Sequence, residues 1–199
     1  MIENLFPIKI YTVQYPNDMS EMLIAVDPLI KKFNTIIKNN QGSMRGSGIC
    51  SYNFKRDLHM LAEFADLVKF IETHALVYWR DLGYDLIYTP RVTEMWFNMY
   101  NKDSFIDTHN HAPIPLTASF YLQKEDNVAN IAFENPLSTM LKYQPFQINR
   151  DTYHTIFEEQ INSKTGDLVI FPGWLNHKTI SNSIDIPRLM IGANLCIEK

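Results

Sequence analysis

Beyond about residue 86 the chain is cut into short apolar segments separated by Pro, Gly, Asn and Asp. The segments read DLIYTP, VTEMWFNMY, LTASFYL, NIAFENP, YHTIFEE, GDLVIFP, HKTISN and RLMIGANLC. They are rich in Ile, Val, Tyr, Phe and Trp, residues that suit a pleated, half-buried surface. The turn-forming residues between them stop each run before a helix can develop. Many short strands at this spacing solve their edge problem by closing as an antiparallel barrel or a two-sheet jelly roll.

The first part of the chain has a different texture. Ile8–Val13 suggests an initial strand. Asp27-Pro28 reads as an N-cap with proline at the first helical position, followed by Leu29, Phe33, Ile36 and Ile37 at helical spacing and by the turn-forming NNQGS. Gly42, Gly46 and Gly48 mark a loop, and the stretch lacks the Gly-Lys-Ser/Thr ending of a phosphate cradle. Residues Asp57–Leu82 carry one apolar stripe through Leu58, Leu61, Ala65, Val68, Ile71, Ala75, Tyr78 and Leu82, with Gly83 placed to cap the end. His59 and His74 on this helix read as solvated or core-edge histidines. The expected fold class is mainly β with flanking helices. Residues 1–199 form one domain in this reading: 1–85 supply a strand and supporting helices packed outside a β core that spans 86–199.

Composition narrows the function. A chain of 199 residues, 46% hydrophobic and 20% charged, is long enough to bury a core and ordinary enough to be globular. A net charge of −4 argues against a surface built to neutralise phosphates, hence against nucleic acid as the partner. Two cysteines, Cys50 and Cys196, make no disulfide framework and read as reduced thiols of a cytoplasmic protein. No run approaches the roughly 18 apolar residues of a membrane span. MIENLFPIKIYTV lacks the basic start and long apolar run of a signal peptide.

Chemistry concentrates in four places. In DTHNHAPIPL, Asp107, His109 and His111 fall at every second position, and alternate residues of a strand share a face. Two imidazoles on one face can share an ion of the kind histidine prefers: iron, zinc or copper. In GDLVIFPGWLNHKTISN, His177 follows a buried strand and a Pro-Gly turn, and a jelly roll can bring it beside the first pair. Arg188 lies in an otherwise apolar strand, where its guanidinium needs either a carboxylate ligand or an acid of the protein itself. Asn98 and Tyr100 sit two apart on the strand that enters the His-x-His loop. Trp96, Phe120, Trp174 and Asn194 are candidates for a pocket wall, and Tyr121 for ligand binding. His154 reads as structural, and Glu134, after a short apolar strand, is a candidate to face the pocket without being a ligand.

The order N-x-Y, H-x-H, S-x-Y-L, G-D-L-x-x-F-P-x-x-L-x-H and then Arg188 resembles the Fe(II)/2-oxoglutarate-dependent oxygenases. It is most similar to their small bacterial and phage-encoded branch near the prolyl 4-hydroxylases. The resemblance covers roughly residues 92–195, with a weaker echo in LFPIKIY. It implies a double-stranded β-helix, Fe(II), dioxygen, and 2-oxoglutarate as cosubstrate with its far carboxylate on Arg188 and further contacts from Asn98, Tyr100 and Tyr121. It also implies oxidative decarboxylation of 2-oxoglutarate to succinate, coupled to hydroxylation of a C–H bond in a small-molecule or peptidyl substrate. A phage-encoded member would work in the host cytoplasm. Most of the superfamily has H-x-D or H-x-E, whereas this chain has His109-Asn110-His111. Either His111 takes the carboxylate's place, which its register relative to Tyr121 favours, or Asp107 is the anionic ligand. If it is not a ligand, Asp107 orients an imidazole instead.

Two other readings compete. A cupin-type dioxygenase or isomerase would use three histidines without 2-oxoglutarate. The cassette with Asn182 suits it, but no glutamate follows His111 and Arg188 has no task there. A non-catalytic jelly roll would leave all these residues incidental.

Overall fold

Alternation along the long strands sends their side chains to two faces, and in this protein both faces are buried. The computed structural model describes residues 7–36, 44–126, 128–141 and 156–199. In chain order these form β1 (Tyr11–Gln14), α1 (Ser20–Ile36), β2 (Met44–Arg45), β3 (Ile49–Cys50), α2 (Ala65–Asp81), β4 (Thr89–Tyr100), β5 (Phe105–His109), β6 (Leu116–Gln123), β7 (Ile131–Glu134), α3 (Ser138–Leu141), β8 (Glu158–Ile161), β9 (Asp167–Pro172), β10 (His177–Thr179) and β11 (Arg188–Glu198). They make two antiparallel sheets, ordered β1-β9-β6-β11-β4-β3 and β2-β5-β10-β7-β8. The expected jelly roll with outer helices is the fold observed.

In the larger sheet, Met95, Phe97 and Met99 of β4, Ala118 and Phe120 of β6, and Ile191 and Ala193 of β11 point outward. There they pack with Leu67, Ile71 and Ala75 of α2 and Val26 of α1. Burying one such Leu, Ile or Phe side chain stabilises the fold by about 1.5–3 kcal/mol, so this layer anchors the helices to the sheet. The alternate residues face the second sheet. Tyr100, Tyr121, Val169, Phe171 and Met190 meet Ile106, Ile131 and Phe133 there. The period of two thus assigns Glu94, Trp96, Asn98 and Tyr100 to the inner face of β4, and Arg188, Met190, Gly192 and Asn194 to the inner face of β11.

Three local expectations are corrected. Helix α1 starts at Ser20, so Pro28 lies inside it instead of at its first position. Proline lacks the N–H that would bond the carbonyl of Ile24, and Ile24 is 72% exposed, so water reaches that turn. Helix α2 begins only at Ala65; the preceding stretch winds into two 3-10 turns, Leu58–Met60 and Ala62–Phe64. Asp57 is drawn aside by Lys55 Nζ at 2.6 Å and makes no cap. At the other end Gly83 adopts φ 85° and closes the helix as expected. Third, β5 ends at His109, so His109 and His111 do not share one strand face. The NNQGS turn and His154 lie outside the described residues.

Candidate metal centre

Two segments distant in sequence bring three imidazoles together. β5 and β10 pair antiparallel with His109 and His177 as direct Cα partners. Their ring centroids lie 4.4 Å apart. His111, just past the end of β5, swings back beside them, with its centroid 5.3 Å from His109 and 5.2 Å from His177. The backbone secures this return: His111 N–H donates to Gly173 O at 2.7 Å, and Gly173 N–H donates to Pro115 O at 3.1 Å. A side chain at residue 173 would collide with the carbonyl oxygen of Ile114, so only glycine permits the approach. Asn110, between the two histidines, donates to Asn176 Oδ1 at 2.8 Å, and Asn176 donates to Glu134 Oε2 at 3.0 Å. Glu134 therefore anchors this link and is not among the clustered ligand-type side chains.

Every Nδ1 in the cluster faces an oxygen that only accepts. His109 Nδ1 lies 2.8 Å from Asp107 O, His177 Nδ1 2.9 Å from Leu175 O, and His111 Nδ1 2.6 Å from Asn194 Oδ1. A carbonyl oxygen accepts and cannot donate, so each Nδ1 carries the proton and each Nε2 keeps its lone pair. The ligand atoms of the three rings lie within 4.8 Å of one another. Burial pushes all three imidazoles below their ordinary range, His177 furthest, to about 3, with its neighbours His109 and His111 adding to the effect. At neutral pH the rings are therefore uncharged, the form that binds metal. Phe171 and Phe133 wall the far side of His177.

Asp107 is elsewhere. Its carboxylate pairs with Arg45 at 2.5 Å, and both side chains are about half exposed. Only its backbone carbonyl touches the cluster. Among the described residues the one group of ligand-type side chains close enough to share an ion is His109, His111 and His177.

A cavity of about 700 Å³ opens on the histidines. Trp96, Asn98, Tyr100 and Asn194 line it, and so do Cys50 and Cys196, both free. Burial raises the Cys50 thiol, so it stays protonated. Trp174 is 51% exposed and is not in the cavity wall. Phe120 faces the helices and packs on Tyr15. Both depart from the expected pocket: the Pro-Gly turn carries Trp174 to the surface, and the period of two turns Phe120 outward.

Arg188 lies deeper on the same inner face. It is 3% exposed, and its Cζ sits 3.8 Å from the Tyr100 ring centroid and 5.8 Å from that of Tyr121. Nη1 donates to Ala129 O, while Nε and Nη2 have no partner among the described residues. No carboxylate among the described residues pairs with it. The Tyr121 hydroxyl is also buried without a partner among the described residues; Ser163 is near but not at hydrogen-bonding geometry. Burial raises Tyr121 and pushes Tyr100 up to about 12, so both phenols keep their protons. Thr179, two residues after His177 and on its face, donates to Tyr100 OH at 3.2 Å. Tyr100 thus links the two: its ring carries the guanidinium and its hydroxyl meets the residue two beyond His177. A buried cation with two orphaned donors there fits a five-carbon diacid that has one end at the histidines and the other at Arg188.

Three further polar residues stand outside the cavity wall. Asn182 donates to Tyr100 O and Ile186 O, shaping the turn before β11. His74 hydrogen-bonds Tyr11, and His59 sits in a 3-10 turn away from the cavity. Sequence reasoning missed Glu94, which hydrogen-bonds Asn194 Nδ2 at 2.7 Å. The signal was present: Glu94 extends the inward series Trp96, Asn98, Tyr100 by one step of two.

Comparison with known proteins adds the family. No protein of curated function matches the chain. Solved structures share its fold at low identity. A prolyl hydroxylase from Trichoplax adhaerens, in complex with a hypoxia inducible factor peptide fragment, aligns with TM-score 0.61 at 13% identity, over 94% of this chain and 82% of that one. HygX from Streptomyces hygroscopicus, bound to nickel, 2-oxoglutarate and hygromycin B, aligns with TM-score 0.59 at 14% identity, over 94% and 82%. A Pseudomonas putida prolyl-4-hydroxylase aligns with TM-score 0.55 at 11% identity, over 94% and 92%. No helix of the described residues is long and apolar enough to cross a membrane. In sequence, residues 94–194, just over half of the 199-residue chain and the span from Glu94 to Asn194 that holds every residue of the cluster, match the 2OG-Fe(II) oxygenase family. The chain belongs to that family of enzymes, which use iron, 2-oxoglutarate and dioxygen.

Proposed function

We propose that His109, His111 and His177 hold the ferrous ion and that Arg188 holds the far carboxylate of 2-oxoglutarate, in an enzyme that hydroxylates a small-molecule or peptidyl substrate. The observation that carries this reading is Arg188: a guanidinium 3% exposed, with two donors unpartnered and no acid beside it among the described residues. A buried charge of this kind is costly unless a ligand completes it. With Fe(II) and 2-oxoglutarate bound, the site supplies oxidative decarboxylation to succinate and carbon dioxide, coupled to insertion of one oxygen atom into a substrate C–H bond.

The chain's own residues do the rest. The three Nδ1–H donors fix each imidazole with Nε2 toward the centre. Tyr100 stacks under the guanidinium and keeps its plane fixed, and the Tyr121 hydroxyl and Asn98 offer further polar contacts to the diacid. Val169, Phe171 and Met190 exclude water from this end of the cavity. The open side, past Trp96 and the polar residues Tyr52, Asn53 and Thr93, admits the substrate. The net charge of −4 speaks against a nucleic-acid substrate, and two free thiols suit the cytoplasm. The helices pack on one face of the sheet whose other face carries the site, so the whole chain is taken to act as one domain.

The test is turnover of 2-oxoglutarate without a primary substrate. Slow formation of succinate, dependent on Fe(II) and lost in His177→Ala and Arg188→Met, supports the proposal. A metal-dependent activity indifferent to 2-oxoglutarate would favour the three-histidine cupin chemistry instead.

A further inference from the structure

The three histidines are not held alike. His109 and His177 each donate to a backbone carbonyl, whereas His111 donates to a side chain that leads to an acid. Asn194 takes the His111 proton on Oδ1 at 2.6 Å and gives Nδ2–H to Glu94 Oε2 at 2.7 Å. Thr117 Oγ1, which donates to Ala193 O at 2.9 Å, stands 3.2 Å from His111 Nδ1 as a second acceptor. Glu94 in turn receives Tyr52 OH at 3.4 Å and pairs with Arg56 Nη1 at 3.2 Å.

We propose that Glu94, acting through Asn194, is the anionic positioning residue of the metal centre, fixing the tautomer of His111 and supplying at one remove the negative charge that three neutral imidazoles lack. The proposal rests on the ligand assignment above. A carboxylate accepts and never donates, so Glu94 dictates that Asn194 presents Nδ2 to it and Oδ1 to His111. Oδ1 dictates that His111 is protonated on Nδ1, which leaves Nε2 for the ion. Each link removes one freedom. The backbone makes the series rigid: Glu94 and Asn194 are Cα partners across β4 and β11, and Thr117 pairs with Asn194 from β6. A register shift follows immediately, between Asn194 and Leu195, and bulges of this kind re-aim side chains beside active sites.

The charge argument points the same way. A divalent ion among neutral ligands keeps its full charge, and in a buried site a nearby anion is worth more than in water. Glu94 is 24% exposed in its side chain and, among the described residues, is the carboxylate joined to the cluster by side-chain hydrogen bonds. Arg56, 57% exposed, lies on its solvent side and offsets its charge only in part. Carboxylates that orient metal-bound imidazoles raise the ligand's basicity, and their loss costs about 10–100-fold in metal affinity.

The test is Co(II) titration of the full-length metal-free protein, read by the cobalt d–d absorbance. Glu94→Gln and Asn194→Ala are expected to bind Co(II) about 10–100-fold more weakly than wild type, with shifted bands. The doubly changed protein Glu94→Gln/Asn194→Asp exchanges amide and carboxylate, placing the acid directly on His111. It is expected to recover affinity to near wild type, a rescue that a merely structural role does not produce. Equal affinity in wild type, Glu94→Gln and Asn194→Ala would overturn the relay, and so would a double variant no tighter than Asn194→Ala. Wild-type protein that takes up no Co(II) would instead overturn the ligand assignment, a distinct failure visible before any variant is made. Circular dichroism of the metal-free variants separates lost ligation from lost fold.

Discussion

His109 and His177 are Cα partners across β5 and β10, so a ladder between segments 68 residues apart sets the spacing of two imidazoles before any ion arrives. Their ring centroids stand 4.4 Å apart. Replacing either ring removes a proposed ligand from a preorganised pair. His177→Ala and His109→Ala are each expected to abolish stoichiometric Fe(II) or Ni(II) binding, a loss beyond the roughly 100-fold typical of supporting residues. Metal content after dialysis against Ni(II) checks this, and full occupancy in either variant would contradict it.

Arg188→Met should have opposite effects on stability and on ligand binding. Without 2-oxoglutarate the substitution removes an uncompensated buried cation, so thermal stability should hold or rise. With 2-oxoglutarate it removes the proposed partner of a buried carboxylate, costing about 2–5 kcal/mol, at least about 30-fold in affinity. Thermal melts with and without 2-oxoglutarate read both. A variant that is destabilised alone yet still stabilised by 2-oxoglutarate would contradict the account.

Acid should loosen the metal-free fold through its histidines. His109, His111 and His177 have folded values below the ordinary histidine range, so the unfolded chain takes up protons first as pH falls. The stability they permit is complete above about pH 6.5 and is lost as pH falls toward the value near 3 of His177. Urea midpoints between pH 7.5 and 4 should decline below about 6.5, and less steeply in His177→Gln. A midpoint that rises on acidification would contradict this assignment.

Gly192→Ala should disturb the cavity without touching a proposed ligand. A Cβ at residue 192 would come within 2.5 Å of the Trp96 indole, which lies 5.8 Å from the His111 ring. Overpacking of this kind costs about 1–3 kcal/mol. Chemical denaturation together with Trp fluorescence should show a lower midpoint and an altered indole environment; an unchanged emission spectrum would count against the packing described here.

The sequence was most legible where a local pattern decides the structure. Short runs bounded by turn residues marked β4, β6, β7, β9, β10 and β11, and the His-x-His pair with the FPGWLNH cassette singled out the histidines that the fold brings together. It was least legible where a distant partner decides. Pro28 looked like a helix start because the exposed turn around Ile24 that tolerates it is a tertiary fact. His111 looked like a strand residue because its reversal depends on Gly173, 62 positions away. Glu94 meets its partner, Asn194, 100 residues downstream, through the β4–β11 register, so its period-of-two position alone does not reveal the contact.

Anaerobic addition of Fe(II) to the metal-free protein, followed by 2-oxoglutarate, tests the central claim most directly. If the three imidazoles hold iron and Arg188 seats the diacid against it, a metal-to-ligand charge-transfer band appears only when both are present, and it is absent in His177→Ala and Arg188→Met. Iron bound at one equivalent with no such band on saturating 2-oxoglutarate would contradict the claim.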